Sequence, residues 1–79
     1  FYDSKTILQE LIQSMGRDSL AYELVREEGP DHNKSFEVRA VLESKEIGRG
    51  TGRTKKAAEQ MAAYKGILEI KRQMGETCI

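Results

Sequence analysis

The chain has 79 residues, of which 38% are hydrophobic and 33% are charged, and its formal net charge is zero. This size predicts one small domain with a modest core, and no apolar run approaches the roughly 20 residues of a membrane span. Cys78 is the only cysteine, which excludes an internal disulfide and a cysteine-rich zinc site. We interpret it as an incidental thiol and expect a cytoplasmic protein.

The charges are segregated along the chain in spite of the zero total. Residues 45–56 contain five basic side chains and one acidic side chain, whereas residues 23–31 contain four acidic and one basic. A neutral total argues mildly against a nucleic-acid-binding protein, because such domains are often basic overall. Segregated charge can still produce a local basic patch, and the sequence places that patch near residues 45–56.

The first predicted element is a helix over residues 4–15. Its apolar residues recur at i, i+3, i+4 and i+7 and form one stripe: Leu8, Leu11, Ile12 and Met15. Asp3 is a favoured N-cap type, and Gly16 is a favoured residue just past a helix end. A polar stripe on the opposite side comprises Thr6, Gln9, Glu10 and Gln13. The pattern alone allows either a solvated helix face or a binding surface.

Three short strands are predicted next. The first spans about residues 21–27, although its alternation is weak. A turn region over residues 28–33 follows, rich in Gly, Pro, Asp and Asn. The second strand alternates apolar and polar residues from Phe36 to Glu43, which predicts one buried face and one mostly wet face. A turn at residues 43–45 leads to a third strand over about residues 46–50.

A second helix is predicted from about Thr54, another favoured N-cap type, to Arg72. Its small residues Ala62, Ala63 and Gly66 would let it lie close to a sheet, while the tail from residue 73 to 79 is expected to fray. The element order predicts an α+β fold: α-β-β-β-α, a three-stranded antiparallel sheet with two helices packed on one face.

Other residues indicate what the chain does not do. We predict no catalytic residue and no metal site, because His32 has no partner at metal-ligand spacing and no nucleophile–base pair is evident. A turn or surface role for His32 and a binding contact both stay open. Glycines 48, 50 and 52 do not match a dinucleotide fingerprint, and we interpret them as a bend that aims the following lysines.

The aromatic residues Tyr22 and Phe36, together with the Leu and Ile positions, are interpreted as core. No exposed aromatic series is evident for the stacking of unpaired bases. The sequence therefore argues against recognition of single-stranded nucleic acid.

Four segments share their motifs with one known family. They are Lys5-Thr6-Ile7-Leu8-Gln9-Glu10, Glu28-Gly29-Pro30-Asp31-His32-Asn33-Lys34-Ser35-Phe36-Glu37-Val38, Gly48-Arg49-Gly50-Thr51-Gly52-Arg53 and Thr54-Lys55-Lys56-Ala57-Ala58-Glu59-Gln60-Met61-Ala62-Ala63. Over about residues 3–70 the chain resembles the double-stranded-RNA-binding domain, in the version found at the C-terminal end of bacterial ribonuclease III. The Gly-Pro-Asp-His turn is its most specific part. Met61, Tyr64 and Gly66 depart from the usual pattern of the last helix.

The resemblance implies three RNA-contacting regions that together span roughly 16 base pairs. It assigns to one minor groove the residues Thr6, Gln9, Glu10 and Gln13. It assigns to the next minor groove Gly29, Pro30, Asp31 and His32. It assigns to the phosphates of the major groove between them Arg53, Thr54, Lys55 and Lys56.

These residue types suit duplex RNA. A 2′-hydroxyl both donates and accepts hydrogen bonds, as Gln9 and Gln13 do, and Glu10 accepts them. Glu10 would find only repelling phosphates on DNA, which predicts a preference for RNA. Lys55 and Lys56 lie in the first turn of a helix, where the helix dipole is already positive. A bound phosphate would relieve that repulsion.

The resemblance also implies a context. Residues 1–79 would form a single double-stranded-RNA-binding domain, with its core at about 3–72, and we expect an upstream nuclease domain that is absent from this chain. The family is a magnesium-dependent, homodimeric endonuclease of ribosomal and other RNA processing. This chain is expected to need no cofactor, to be non-catalytic and to bind double-stranded RNA but no membrane. The alternative hypothesis is a protein–protein interaction module with the same fold.

Overall fold

The computed structural model describes residues 3–75. In chain order this range contains α1 (Ser4–Ser14), β1 (Leu20–Glu28), β2 (Ser35–Leu42), β3 (Lys45–Gly52) and α2 (Lys55–Gln73). The strands form an antiparallel sheet in the order β1-β2-β3, α2 lies on β3 and β2, and α1 packs beside α2. The predicted α-β-β-β-α fold is confirmed. No helix within residues 3–75 is long and apolar enough to cross a membrane.

The core lies between the helices and one face of the sheet. On the helices it includes Leu8, Ile12 and Ile70, which are fully buried, and on β2 it includes Val38 and Ala40. The predicted apolar stripe of α1 is confirmed, with Leu11 and Met15 packed at its margin. The alternation of β2 is confirmed as far as residue 40, but Val41 is also buried, at 6% exposure, on the face predicted to be wet.

The weak alternation of β1 has a structural cause. The register of β1 against β2 shifts between Leu24 and Arg26, which is a β-bulge. Because a bulge inserts one extra residue, it changes which face each following side chain occupies. The extra residue is Val25, which is 41% exposed, so the alternation that begins at Tyr22 cannot be continued past it.

Three glycines in β3 allow α2 to lie directly on the strand. A Cβ atom added at Gly48 would lie 2.4 Å from the backbone oxygen of Ala62, and one added at Gly50 would lie 2.5 Å from the backbone nitrogen of the same residue. At Gly52 the nearest atoms belong to Ala57 and Ala58, at 2.8 Å. The glycines lie within β3, which continues to Gly52, and they leave space for a helix. The predicted bend near the end of the strand is present directly after it, at Arg53 and Thr54. The predicted role of Ala62 and Gly66 in close packing is confirmed.

The helix ends follow local chemistry with one exception. The Thr54 hydroxyl accepts a hydrogen bond from Ala57 N at 3.0 Å, which confirms the N-cap of α2. Gly16 has φ +76° and, with Arg17, donates to the last turn of α1 in a Schellman arrangement. The Asp3 side chain makes no capping bond with residues 3–75. Its backbone, at φ −124° and ψ 28°, lacks the extended geometry of a capping residue.

Some predicted core positions are exposed. Ile7, Leu24 and Leu68 have exposures of 48%, 46% and 44%. Leu24 lies on the edge strand β1, whereas α2 covers β3 and β2. Tyr22 and Phe36 are partly buried against the core. Gln73, predicted to begin a frayed tail, is the last residue of α2, while Cys78 lies outside the described residues.

The Tyr22 hydroxyl is buried and has no hydrogen-bond partner within residues 3–75. Burial, and secondarily the negative charge of Glu59, raise the pKa of Tyr22 to about 12. The Lys5 ammonium also makes a cation–π contact with the ring, at 5.1 Å from the ring centroid. The neutral phenol is therefore the form that the folded chain favours.

We expect Gly48→Ala to destabilise the fold by about 1–3 kcal/mol or more, because the added methyl group meets backbone that cannot rotate away. Urea unfolding would measure the change. Thr51→Ala, at an exposed position of the same strand, is the matched control, with an expected change within about 0.5 kcal/mol. Equal stability of the two variants would contradict the close packing.

We expect Tyr22→Phe to protect the fold at high pH. The phenol pKa is about 10 in the unfolded chain and about 12 in the folded chain. Between these two pH values the unfolded chain releases the phenol proton while the folded chain keeps it, so the free energy of unfolding falls as the pH rises. The variant has no phenol proton and therefore does not lose stability in this way. Urea unfolding at pH 8 and pH 11 should show that the stability of the variant relative to the parent rises with pH. A constant difference would show that the phenol proton does not stabilise the folded state.

Candidate nucleic-acid interface

The polar stripe of α1 faces away from the core. Thr6, Glu10 and Gln13 are exposed and Gln9 is half-buried, while Leu8 on the other side is fully buried. The helical period places these polar residues along one face. The structure therefore presents the stripe that the sequence predicts to donate and accept hydrogen bonds.

Lys5 joins the beginning of α1 to α2. Its backbone nitrogen donates to Gln60 Oε1 at 3.2 Å, and its Nζ lies 2.7 Å from Glu59 Oε1. Gln9 is one turn further along the same side of α1. These two contacts place the beginning of α1, on the side shared by Lys5 and Gln9, beside the second turn of α2.

The loop between β1 and β2 is exposed and internally ordered. Gly29 has φ +98°, a left-handed conformation that favours glycine, and an added Cβ would lie 2.4 Å from the backbone oxygen of Asn33. The Asn33 N–H donates to the Pro30 carbonyl at 2.9 Å and closes a turn. Asp31 and His32 are exposed at the tip of this turn.

Lys34 forms ion pairs at the base of the loop. Its Nζ lies 2.6 Å from Glu27 Oε2 and 3.8 Å from Asp31 Oδ1. The hydrogen bond from Lys34 lowers the pKa of the Glu27 carboxyl, and the positive charges of Lys34 and Lys55 act in the same direction. The charge of Lys55 therefore acts on the Glu27 carboxyl, near the end of β1 where the loop begins.

The first turn of α2 concentrates positive charge. Lys55 and Lys56 are exposed, and within residues 3–75 neither has a carboxylate at salt-bridge distance. The Thr54 hydroxyl caps Ala57 N, which leaves other backbone N–H groups of the first turn without an intrahelical partner. Free N–H groups, the helix dipole and two ammonium groups together favour an anion.

Arg53 connects this turn to the loop. Its Nη1 donates to Asn33 Oδ1 at 3.0 Å. The loop and the beginning of α2 are therefore adjacent in space, although about 20 residues separate them along the chain. The sequence-predicted residues of the loop and of the beginning of α2 therefore lie together, whereas α1 is joined through Lys5 to the second turn of α2.

The basic segment 45–56 is divided by the fold. Arg49 points to the sheet face away from α2, where it lies 2.7 Å from Glu46 and 3.1 Å from Glu37. On the same face Arg39 lies 2.6 Å from Glu23. The predicted patch is therefore narrower than the segment, and its basic residues at the interface are Arg53, Lys55 and Lys56.

Sequence reasoning missed Lys5, Asn33 and Lys34. Each acts by joining two segments, so its role depends on a contact across the fold. The only signal available was that all three residues belong to the segments that resemble the family.

The described residues do not fit a metal ion. Within residues 3–75 no three side chains of His, Cys, Asp or Glu lie together in a group that could hold one. The arrangement of this surface can bind a polyanion with hydroxyl groups, through polar and positive side chains.

Comparisons with known proteins agree with this geometry. The family model of the double-stranded RNA binding motif matches residues 4–70. Ribonuclease 3 of Pelotomaculum thermopropionicum is 46% identical over 76 residues, which cover 96% of this chain and 31% of that protein. Ribonuclease 3 of Ligilactobacillus salivarius is 43% identical over 70 residues, which cover 89% of this chain and 30% of that protein. The chain thus spans less than a third of the length of these relatives.

A solved structure of Arabidopsis HYL1, described for its implications for miRNA processing, superposes with a TM-score of 0.73. It is 33% identical, and the match covers 85% of this chain and 94% of that chain. The match of the family model over most of the chain, with these relatives, identifies the family. The chain belongs to the double-stranded RNA binding motif family.

Proposed function

We propose that this chain binds double-stranded RNA as the RNA-binding module of a ribonuclease III. The observation that supports this most directly is that one small domain exposes three regions of suitable chemistry: the polar stripe of α1, the loop after β1 and the basic first turn of α2. Arg53 joins the loop to the segment just before α2, and Lys5 joins the beginning of α1 to the second turn of α2. Duplex RNA presents 2′-hydroxyl groups in its two successive minor grooves and phosphates across the major groove between them.

The polar stripe would contact 2′-hydroxyls in one minor groove through Thr6, Gln9, Glu10 and Gln13. The side-chain amides of Gln9 and Gln13 both donate and accept hydrogen bonds, which matches a hydroxyl. The loop residues Gly29, Pro30, Asp31 and His32 would enter the next minor groove. Their exposure at the tip of an ordered turn supports this role.

The first turn of α2 would meet the phosphates of the intervening major groove. Lys55 and Lys56 supply charge, and Thr54 holds the helix end in place as its cap. Each phosphate that a lysine neutralises releases a counterion, so the affinity should fall with salt. Arg53 belongs to the same region of the surface.

In the whole protein the module would deliver duplex RNA to a nuclease domain. The relatives named Ribonuclease 3 are more than three times as long as the matched stretch. Magnesium would be held by that other domain, because the described residues of this chain do not fit it. The parent would act as a homodimer in cytoplasmic RNA processing, and this chain alone would not cleave RNA.

A binding titration tests the function. We expect the chain to bind a duplex RNA of about 20 base pairs, longer than the expected footprint of roughly 16, more tightly than DNA of the same sequence. Glu10→Ala should weaken RNA binding and strengthen DNA binding, because it removes both a hydroxyl acceptor and a charge that repels phosphate. Asp18→Ala, which removes one exposed negative charge elsewhere, is the control and should leave the RNA:DNA ratio unchanged.

Equal binding of RNA and DNA by the unsubstituted chain would contradict the hydroxyl contacts while leaving the lysines in place. Failure of the folded chain to bind either duplex would contradict the proposed function and favour a protein-interaction module.

We expect the double variant Lys55→Ala/Lys56→Ala to lose about tenfold or more of its affinity per lysine, because a charge-assisted hydrogen bond to phosphate is lost each time. The slope of log K against log salt should fall by about two. Lys71→Ala/Arg72→Ala removes the same charge in the last turn of α2 and is the matched control. An equal loss in both double variants would point to overall charge and away from a phosphate site at the first turn.

A further inference from the structure

Asn33 is the residue on which the loop after β1 is organised. Its backbone N–H donates to the Pro30 carbonyl at 2.9 Å, and its backbone oxygen occupies the space where Gly29 lacks a Cβ, 2.4 Å from that position. Its side-chain Oδ1 accepts from Arg53 Nη1 at 3.0 Å. The first two contacts set the shape of the turn. The third joins the hairpin to the segment just before α2.

Arg53 is held firmly at its own end. It follows Gly52, whose Cα lies so close to α2 that a Cβ would be 2.8 Å from Ala58 N. It precedes Thr54, whose hydroxyl caps α2. The backbone of Arg53 is thus tied to the strand on one side and to the helix on the other, so its guanidinium extends from a rigid base.

The pairing of Phe36 with Gly52 fixes the start of β2 beside the end of β3, but within residues 3–75 the other contacts of the loop itself do not extend to α2. The ion pair of Lys34 with Glu27 joins residues of the same hairpin, at the end of β1 and just before β2. It therefore stabilises the shape of the hairpin end without fixing its distance from α2. Lys55 acts on Glu27 only through its charge. Arg53–Asn33 is a directional bond that crosses from the helix side to the loop.

We infer that Arg53 is a positioning residue, which holds the loop at a fixed offset from the first turn of α2 by its hydrogen bond to Asn33. The inference rests on the proposed function: the loop would then meet a minor groove at the same time as Lys55 and Lys56 meet the phosphates. Because the loop is ordered before RNA arrives, binding does not have to incur the full entropy of fixing it. Arg53 contributes through Asn33 more than through its own charge.

The test begins with the free protein. We would compare Arg53→Ala, Asn33→Asp and Arg72→Ala by amide hydrogen exchange and ¹⁵N relaxation at residues 30–34. Arg53→Ala should speed exchange of the Asn33 amide and increase loop motion, while Arg72→Ala, a charge-matched change at the far end of α2, should not. Asn33→Asp keeps the acceptor oxygen and should keep the loop ordered. An unchanged loop in Arg53→Ala would overturn the inference, whether or not the chain binds RNA.

RNA titrations of Arg53→Ala, Asn33→Ala and the double variant form the second arm. Each single change should weaken binding to duplex RNA by roughly three- to tenfold, and the double variant should be no weaker than the weaker single one, because both remove the same link. The slope of log K against log salt should be the same for Arg53→Ala and Asn33→Ala. Additive losses, with a slope lower by about one in Arg53→Ala alone, would identify a direct phosphate contact and overturn the positioning role.

The two arms separate this inference from the proposed function. If the unsubstituted chain does not bind duplex RNA, the proposed function fails, and the exchange measurement on the free protein still decides whether Arg53 holds the loop.

Discussion

Glycines at alternate positions of β3 let the backbone of α2 rest on the strand. Cβ atoms at Gly48 and Gly50 would lie 2.4 and 2.5 Å from backbone atoms of Ala62. On the helix, Gly66 packs closely too, since its own Cβ would lie 3.1 Å from a Leu8 methyl group. Because the helix backbone beside Gly48 and Gly50 cannot rotate away as a side chain can, the helix has little freedom to shift. The position of its first turn, and hence of its lysines, follows from this contact.

The fold also decides which charges are available. The chain is neutral, but Arg39 and Arg49 are paired with glutamates on the sheet face away from the helices. Exposed pairs of this kind contribute little to stability, yet they neutralise basic groups away from the candidate interface. The ammonium groups of the first turn of α2 have no such pairs within the described range, so a neutral domain can present a local basic site.

The candidate interface is built from exposed residues whose positions depend on buried or bonded neighbours. The α1 stripe is presented because Leu8 and Ile12 are buried on the other side. The loop tip is exposed because Gly29 and Asn33 close the turn beneath it. Duplex RNA is recognised largely by shape, so the relative placement of these regions matters as much as their chemistry. Under the proposed function, the hydrogen bonds of Lys5 and Arg53 would help to set that placement.

Local patterns in the chain were enough to predict the elements and their order, the N-cap Thr54, the turn at Gly16 and the exposed polar stripe, because each depends on neighbours within a few residues. They did not reveal the bulge at Val25, the missing side-chain cap at Asp3 or the contact of the β3 glycines with α2. Those features can be seen only in the folded chain. The same is true of the division of the basic segment and of the contacts of Lys5 and Arg53. These depend on pairs of groups far apart in the chain, such as Arg53 and Asn33, and local periodicity contains no information about which distant groups will meet.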